Sequence, residues 1–153
     1  MRFVSILMAS KRDHEVMVEA AKILEKFGVA HELVIVSPHR SYERTHEYVK
    51  GAQKKGAKVF IAVTRVSLAG VVASLTTRAV IGVPVKSDSE AHTSVGVPIA
   101  LMSFGKLGAV NSAYLAMQIL ALEDEELSVK LLEDRILKAK KVETDSDELE
   151  VRI

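Results

Sequence analysis

Short, solid apolar runs alternate along this chain with stretches of helical periodicity, and that alternation limits the fold more than any single residue does. Repeated strand–helix units build parallel sheets with helices on their faces. The spacing predicts strands over Phe3–Met8, Leu33–Ser37, Val59–Thr64, Val80–Val85 and Pro98–Met102. It predicts helices over Asp13–Phe27, about Tyr42–Lys55, Leu68–Leu75 and Leu107–Leu122. In the first helix Val16, Ala20, Ile23, Leu24 and Phe27 would share a face, with Asp13 as cap and Gly28 as stop. Right-handed crossovers then give a three-layer α/β/α sandwich, and a flavodoxin-like strand order, 2-1-3-4-5, is the preferred topology.

One more helix follows the expected sheet. Glu125–Lys141 carries Leu127, Leu131, Leu132, Ile136 and Leu137 as a stripe, with acidic residues early and lysines late, as the helix dipole prefers. It packs either on the chain's own surface or on a neighbour. The mostly charged Glu143–Ile153 reads as a mobile or subunit-bound tail. At 153 residues, without a Pro/Gly/Ser linker or internal repeat, the whole chain, 1–153, reads as one domain.

In such a sheet the loops leaving the carboxyl ends of neighbouring strands share one crevice, where ligands sit. The first of these loops contains Ser10 and Asp13, and the second reads Ser37-Pro38-His39-Arg40. Each opens a helix, so free N–H groups and the positive dipole end favour an anion. Ser10 can donate to a phosphate oxygen and Asp13 can accept from sugar hydroxyls, although both residues also suit plain helix caps. Pro38 fixes the backbone and keeps Ser37 extended. Arg40 can pin an anion by charge-assisted bonds, and His39 can give and take a proton near neutral pH. These are the parts for holding a phosphorylated sugar and moving a proton beside it.

Several function classes fall away. A net charge of +1, 5% aromatic residues and no Trp offer neither an electrostatic footprint nor a stacking platform for nucleic acid. The cluster Lys138, Lys140, Lys141 reads as the solvated end of a helix. With no Cys, disulfides and Cys–zinc sites are excluded, which fits the cytoplasm. None of the five histidines has metal-site spacing, and His14, His31, His46 and His92 read as surface or edge-of-core residues. The first apolar run is too short for a signal peptide or membrane span. No nucleophile elbow, dinucleotide fingerprint or P-loop is present. A flavin-binding module is poorly supported, because the first loop lacks a Ser/Thr run and no Trp or Tyr is placed to flank the ring.

Met8-Ala9-Ser10-x-x-Asp13, Ser37-Pro38-His39-Arg40 and Val80-Ile81-Gly82-Val83-Pro84-Val85 resemble the PurE family's M-G-S-x-S-D, S-A-H-R and V-I-G-V-P-V motifs, in order and at matching spacing. Weaker similarity continues through Gly96-Val97-Pro98-Ile99-Ala100 and Asn111, so the resemblance spans about residues 3–140. Members of the family are carboxyaminoimidazole ribonucleotide mutases and aminoimidazole ribonucleotide carboxylases of purine biosynthesis. The resemblance implies a flavodoxin-like subunit in a homo-octamer, with the C-terminal helix on a neighbour, and neither cofactor nor metal. It implies that Ser10 and Asp13 bind the ribose 5-phosphate, that Ser37 and Arg40 hold the nucleotide, and that His39 is the general acid/base.

Two stretches depart from the family. Its third loop, similar to G-A-G-G-A-A-H-L-P-G, is replaced here by the shorter Val63-Thr64-Arg65-Val66-Ser67-Leu68-Ala69-Gly70, with Ser67 where a second histidine is expected. The segment flanking the family's site shrinks to Asp88–Val95. Arg65 resembles the arginine of the carboxylase branch, and in a mutase it would anchor the migrating carboxylate in place of the missing glycines. That branch usually has Lys after the catalytic His, where this chain has Arg40. Three functions therefore follow as expectations: the mutase first, then a carboxylase using carbon dioxide directly, then a nucleotide-binding paralogue with little activity.

Overall fold

The computed structural model describes residues 1–86 and 91–150. They fall into two compact units, Met1–Ile119 and Leu120–Ile153. The first holds a five-stranded parallel sheet with strands β1 (Phe3–Met8), β2 (His31–Ile35), β3 (Ala57–Val63), β4 (Ala79–Val83) and β5 (Ala100–Leu101), in the order β2-β1-β3-β4-β5. The helices are α1 (His14–Lys26), α2 (Tyr42–Lys55), α3 (Leu68–Leu75) and α4 (Gly105–Ala121), and the second unit carries α5 (Glu125–Glu150). The expected class and strand order are what the chain adopts.

Burial explains why the strands read as they do. Every residue of β1 is buried, and so is β3 except for Lys58. Strands covered on both faces need continuous apolar side chains rather than alternation. After β2 the chain reverses its direction across the sheet, and right-handed crossovers then put α1 and α4 on one face and α2 and α3 on the other. On one face, Phe27 at the end of α1 meets Tyr114 of α4 edge to face, with ring centroids 5.8 Å apart. On the other, α2 and α3 pack against each other and against β3.

Several boundaries move from the expected ones for backbone reasons. β4 stops at Val83 because Pro84 has no N–H; its carbonyl instead accepts from Gly105 N at 2.7 Å. The fifth strand shrinks from Pro98–Met102 to Ala100–Leu101, with one further ladder bond from Met102 N to the Gly82 carbonyl. β2 begins two residues early, at His31, and continues as a single bond from Val36 N to Met8 O before Pro38 turns the chain. Of the expected face of α1, Ala20, Leu24 and Phe27 are buried while Val16 and Ile23 are half-buried, and Met17 and Ala21 join the buried face. Gly56 ends α2 in the left-handed conformation, φ 114°, and donates to the Ala52 and Gln53 carbonyls.

The terminal helix is longer than expected. α5 runs to Glu150, well past Lys141, so most of the charged stretch taken for a tail is helical. Lys130–Glu126, Lys138–Asp134 and Lys141–Asp145 are ion pairs at i, i+4 that support an exposed helix of this kind. Part of the shortened 88–95 segment lies outside the described residues.

Candidate functional site

The reversal of the chain places the switch point between β1 and β3, beside the loops that leave β1, β2 and β3. The β1 loop turns sharply. Ser10 caps a 3-10 turn over Lys11–Asp13, its Oγ accepting from Arg12 N at 3.3 Å. Asp13 reaches back, and its Oδ2 accepts from Ala9 N at 2.9 Å and Ser10 N at 3.0 Å. Asp13 therefore does not cap α1, as expected from sequence; it ties the loop to itself in a reciprocal capping arrangement.

The β2 loop is fastened to the β1 loop. Arg40 Nε donates to Ser37 Oγ at 3.4 Å, and its Nη2 donates to the Ala9 carbonyl at 3.2 Å. Ser37 is buried, whereas His39 and Arg40 are exposed in the turn that Pro38 begins. Arg40's partners in these bonds are neutral, so its charge stays available to an anion.

The β3 loop supplies the least expected contacts. Arg65 grips Asp13 with two bonds, Nε to Oδ1 at 3.1 Å and Nη2 to Oδ2 at 3.2 Å, and the same Nη2 donates to Ser10 Oγ at 2.7 Å. Asp13 is only 2% exposed, so this carboxylate sits in a nearly dry setting, with its charge met by Arg65 and two backbone N–H groups. The sequence led us to expect Arg65 as a free anchor for a carboxylate; the fold seats it on its own chain's acid instead. Val66 and Ser67 follow with φ of 50° and 57°, left-handed backbone in residues that carry a Cβ. The left-handed turn is thus made here without a glycine. Thr64, one residue before Arg65, is 2% exposed, and its Oγ1 is the one buried side-chain atom among the described residues without a hydrogen-bond partner.

Of the residues proposed from sequence, Ser10, Asp13 and Arg65 are joined directly, Ser37 and Arg40 are joined to each other and to Ala9, and His39 stands between the last two in the turn. Sequence reading missed Thr64, which looked like the last residue of a strand. It also missed the Asp13–Arg65 pair, because 52 positions separate the partners. Lys11, Arg12, Arg40 and Arg65 against Asp13 give these loops a cationic balance suited to a phosphate or carboxylate. No group of three or more His, Cys, Asp or Glu among the described residues could hold a metal ion, and no helix among them is long and apolar enough to cross a membrane.

Comparison with known proteins shows the family to which the chain belongs. Residues 3–141 match the family model described as AIR carboxylase. A protein of Pyrococcus horikoshii named N5-carboxyaminoimidazole ribonucleotide mutase is 40% identical over 158 aligned positions, which cover 96% of this chain and 88% of that one. A Bacillus subtilis protein of the same name is 41% identical, covering 95% of this chain and 97% of its own length. Among solved structures, Treponema denticola PurE superposes with a TM-score of 0.86 at 26% identity, covering 97% of this chain and 99% of that one.

Proposed function

The chain belongs to the AIR carboxylase family, and from that premise we propose that it is an N5-carboxyaminoimidazole ribonucleotide mutase of purine biosynthesis. The observation that carries this reading is the union of three strand-end loops at one switch point, with exposed His39 between Ser37 and Arg40. Ser10 donates to the ribose 5-phosphate; Asp13, expected to bind the ribose 5-phosphate too, is buried and holds the Ser10 loop in place instead, and Ser37 and Arg40 hold the nucleotide. Arg65, expected in the same substrate-binding set, is fastened to Asp13 and Ser10.

The reaction needs little beyond these groups. The carboxylate leaves the exocyclic nitrogen as carbon dioxide, and the nitrogen takes a proton from the His39 imidazolium. The ring carbon then attacks the carbon dioxide, and neutral His39 removes the proton from that carbon. One proton is given and one recovered, so a single imidazole closes the cycle. Ser67, at the expected place of a second histidine, cannot carry a proton in its stead. No cofactor enters this scheme. Assembly as a homo-octamer and a cytoplasmic setting complete the reading, which involves no nucleic acid or membrane partner.

A second reading, the carboxylase, is favoured by Arg65 in the β3 loop. One assay separates them. Ultraviolet absorbance is followed with the N5-carboxylated ribonucleotide, or with aminoimidazole ribonucleotide under carbon dioxide. The mutase turns over the first at a rate independent of added bicarbonate. A chain that uses only free carbon dioxide is the carboxylase, and one that binds nucleotide without carboxyl transfer is neither.

A further inference from the structure

We propose that Arg65 is a positioning residue for the ribose phosphate, holding Ser10 as a hydrogen-bond donor, and not the anchor of the migrating carboxylate; this rests on the function proposed above. Three observations support it. First, the guanidinium is already engaged: Nε and Nη2 both lie on Asp13, and Nη2 also serves Ser10. A carboxylate ligand would find only Nη1 outside these bonds, on a cation whose charge is already met by a nearly buried acid.

Second, the bonds to Ser10 set its polarity. Its Oγ accepts from Arg65 Nη2 at 2.7 Å and from Arg12 N at 3.3 Å. A hydroxyl has two acceptor lone pairs and one hydrogen. With both lone pairs occupied, only the O–H remains, and it is directed at an acceptor. Ser10 is half-exposed, so that acceptor comes from the crevice, and an anionic phosphate oxygen suits it.

Third, the backbone is arranged to aim Arg65. Val66 and Ser67 adopt left-handed φ directly after it, a conformation that a β-branched residue strongly resists. Such a turn persists only when its surroundings enforce it. Here fully buried Leu68 fixes one side, the Arg65 bonds fix the other, and Ser67 N closes the turn onto the Thr64 carbonyl at 3.1 Å.

The test measures ribose 5-phosphate affinity by calorimetry and steady-state kinetics with the carboxylated nucleotide. Arg65→Ala should weaken ribose 5-phosphate roughly tenfold or more, the scale of a lost charge-assisted contact. KM should rise while kcat is largely kept, since ground-state and transition-state binding suffer alike. Arg65→Lys should restore little, because an ammonium cannot span Asp13 and Ser10 in the forked geometry. It keeps the charge, so it carries the test if the alanine variant fails to fold. Added guanidinium ion should recover part of the alanine variant's affinity. If ribose 5-phosphate binds unchanged in both variants while affinity for the carboxylated nucleotide falls, Arg65 anchors the carboxylate and the inference is overturned with the mutase reading intact. A wild-type chain that binds neither ribose 5-phosphate nor nucleotide overturns the function reading, and this inference with it.

Discussion

Two guanidiniums reach the loop after β1, and they differ in what has already met their charge. Arg65 is neutralised by Asp13, whereas Arg40 rests on a hydroxyl and a carbonyl. The free charge makes Arg40 the stronger candidate for direct contact with an anion. Arg40→Ala should weaken nucleotide binding by about 1.5–3 kcal/mol, measured by calorimetry; unchanged affinity would remove the assignment. His39 is exposed in the same turn and carries the proton in the proposed cycle. His39→Asn keeps the size and a hydrogen-bonding tip but cannot transfer a proton. Turnover should fall by at least ~10²-fold with binding nearly unchanged, and normal turnover would mean that another group moves the proton. At this scale short motifs in contiguous loops were enough to single out Ser10, Asp13, Ser37, His39 and Arg40 as candidates, and the fold brings the loops that carry them together. The Asp13–Arg65 pair and the unsatisfied Thr64 hydroxyl depend on the sheet bringing β1 and β3 side by side, which no local window contains.

The elements show the same division between what periodicity states and what packing decides. The apolar runs mark β1 and β3 because both are covered on two faces, while β5 is reduced to two residues at an edge where Pro98 cannot join the ladder. The inward face of α1 keeps Ala20, Leu24 and Phe27 and adds Met17 and Ala21, a choice that depends on which residues the sheet accepts. One polar feature breaks the apolar run of β1. Ser5 is fully buried, and its Oγ lies 2.7 Å from the Tyr48 hydroxyl of α2, which donates to Glu32 of β2 at 3.2 Å. Burial is the main cause that pushes the Tyr48 phenol up to about 12, partly opposed by the Ser5 bond and assisted by the Glu32 charge. A phenol raised in the folded state stabilises the fold fully below its unfolded value near 10, and that contribution fades as pH rises through about 12. Denaturant unfolding should show stability declining across that alkaline window. Tyr48→Phe should flatten this part of the profile and cost about 1–2 kcal/mol at neutral pH, because buried Ser5 loses its partner. An unchanged alkaline slope in the variant would assign the decline to other groups.

At the scale of the whole molecule, each unit by itself leaves apolar surface uncovered. In the sheet unit, Leu101 at the edge strand, Phe104 and Leu107 are more than half exposed. In the helical unit, Val129, Leu132 and Ile136 recur at helical spacing along α5 and are exposed in a single chain. Leu132 and Ile136 belong to the stripe expected from sequence, whereas Val129 lies outside it and Leu127 of that stripe is buried. The exposure of Leu101 lay hidden, because a strand expected over Pro98–Met102 would have shared its side chains with the sheet. Monomers rarely leave contiguous apolar patches of this kind open to water. A sheet edge with unpaired backbone groups adds a further reason to be covered. The chain should therefore form an assembly larger than a dimer at micromolar concentration, measured by light scattering. Leu132→Glu combined with Ile136→Glu places two charges on the exposed stripe of α5 and leaves the sheet unit's own core untouched. That variant should shift to smaller particles with its far-ultraviolet dichroism retained. A monodisperse wild-type monomer would refute the assembly, and an unshifted double variant would move the contact from α5 to the sheet edge.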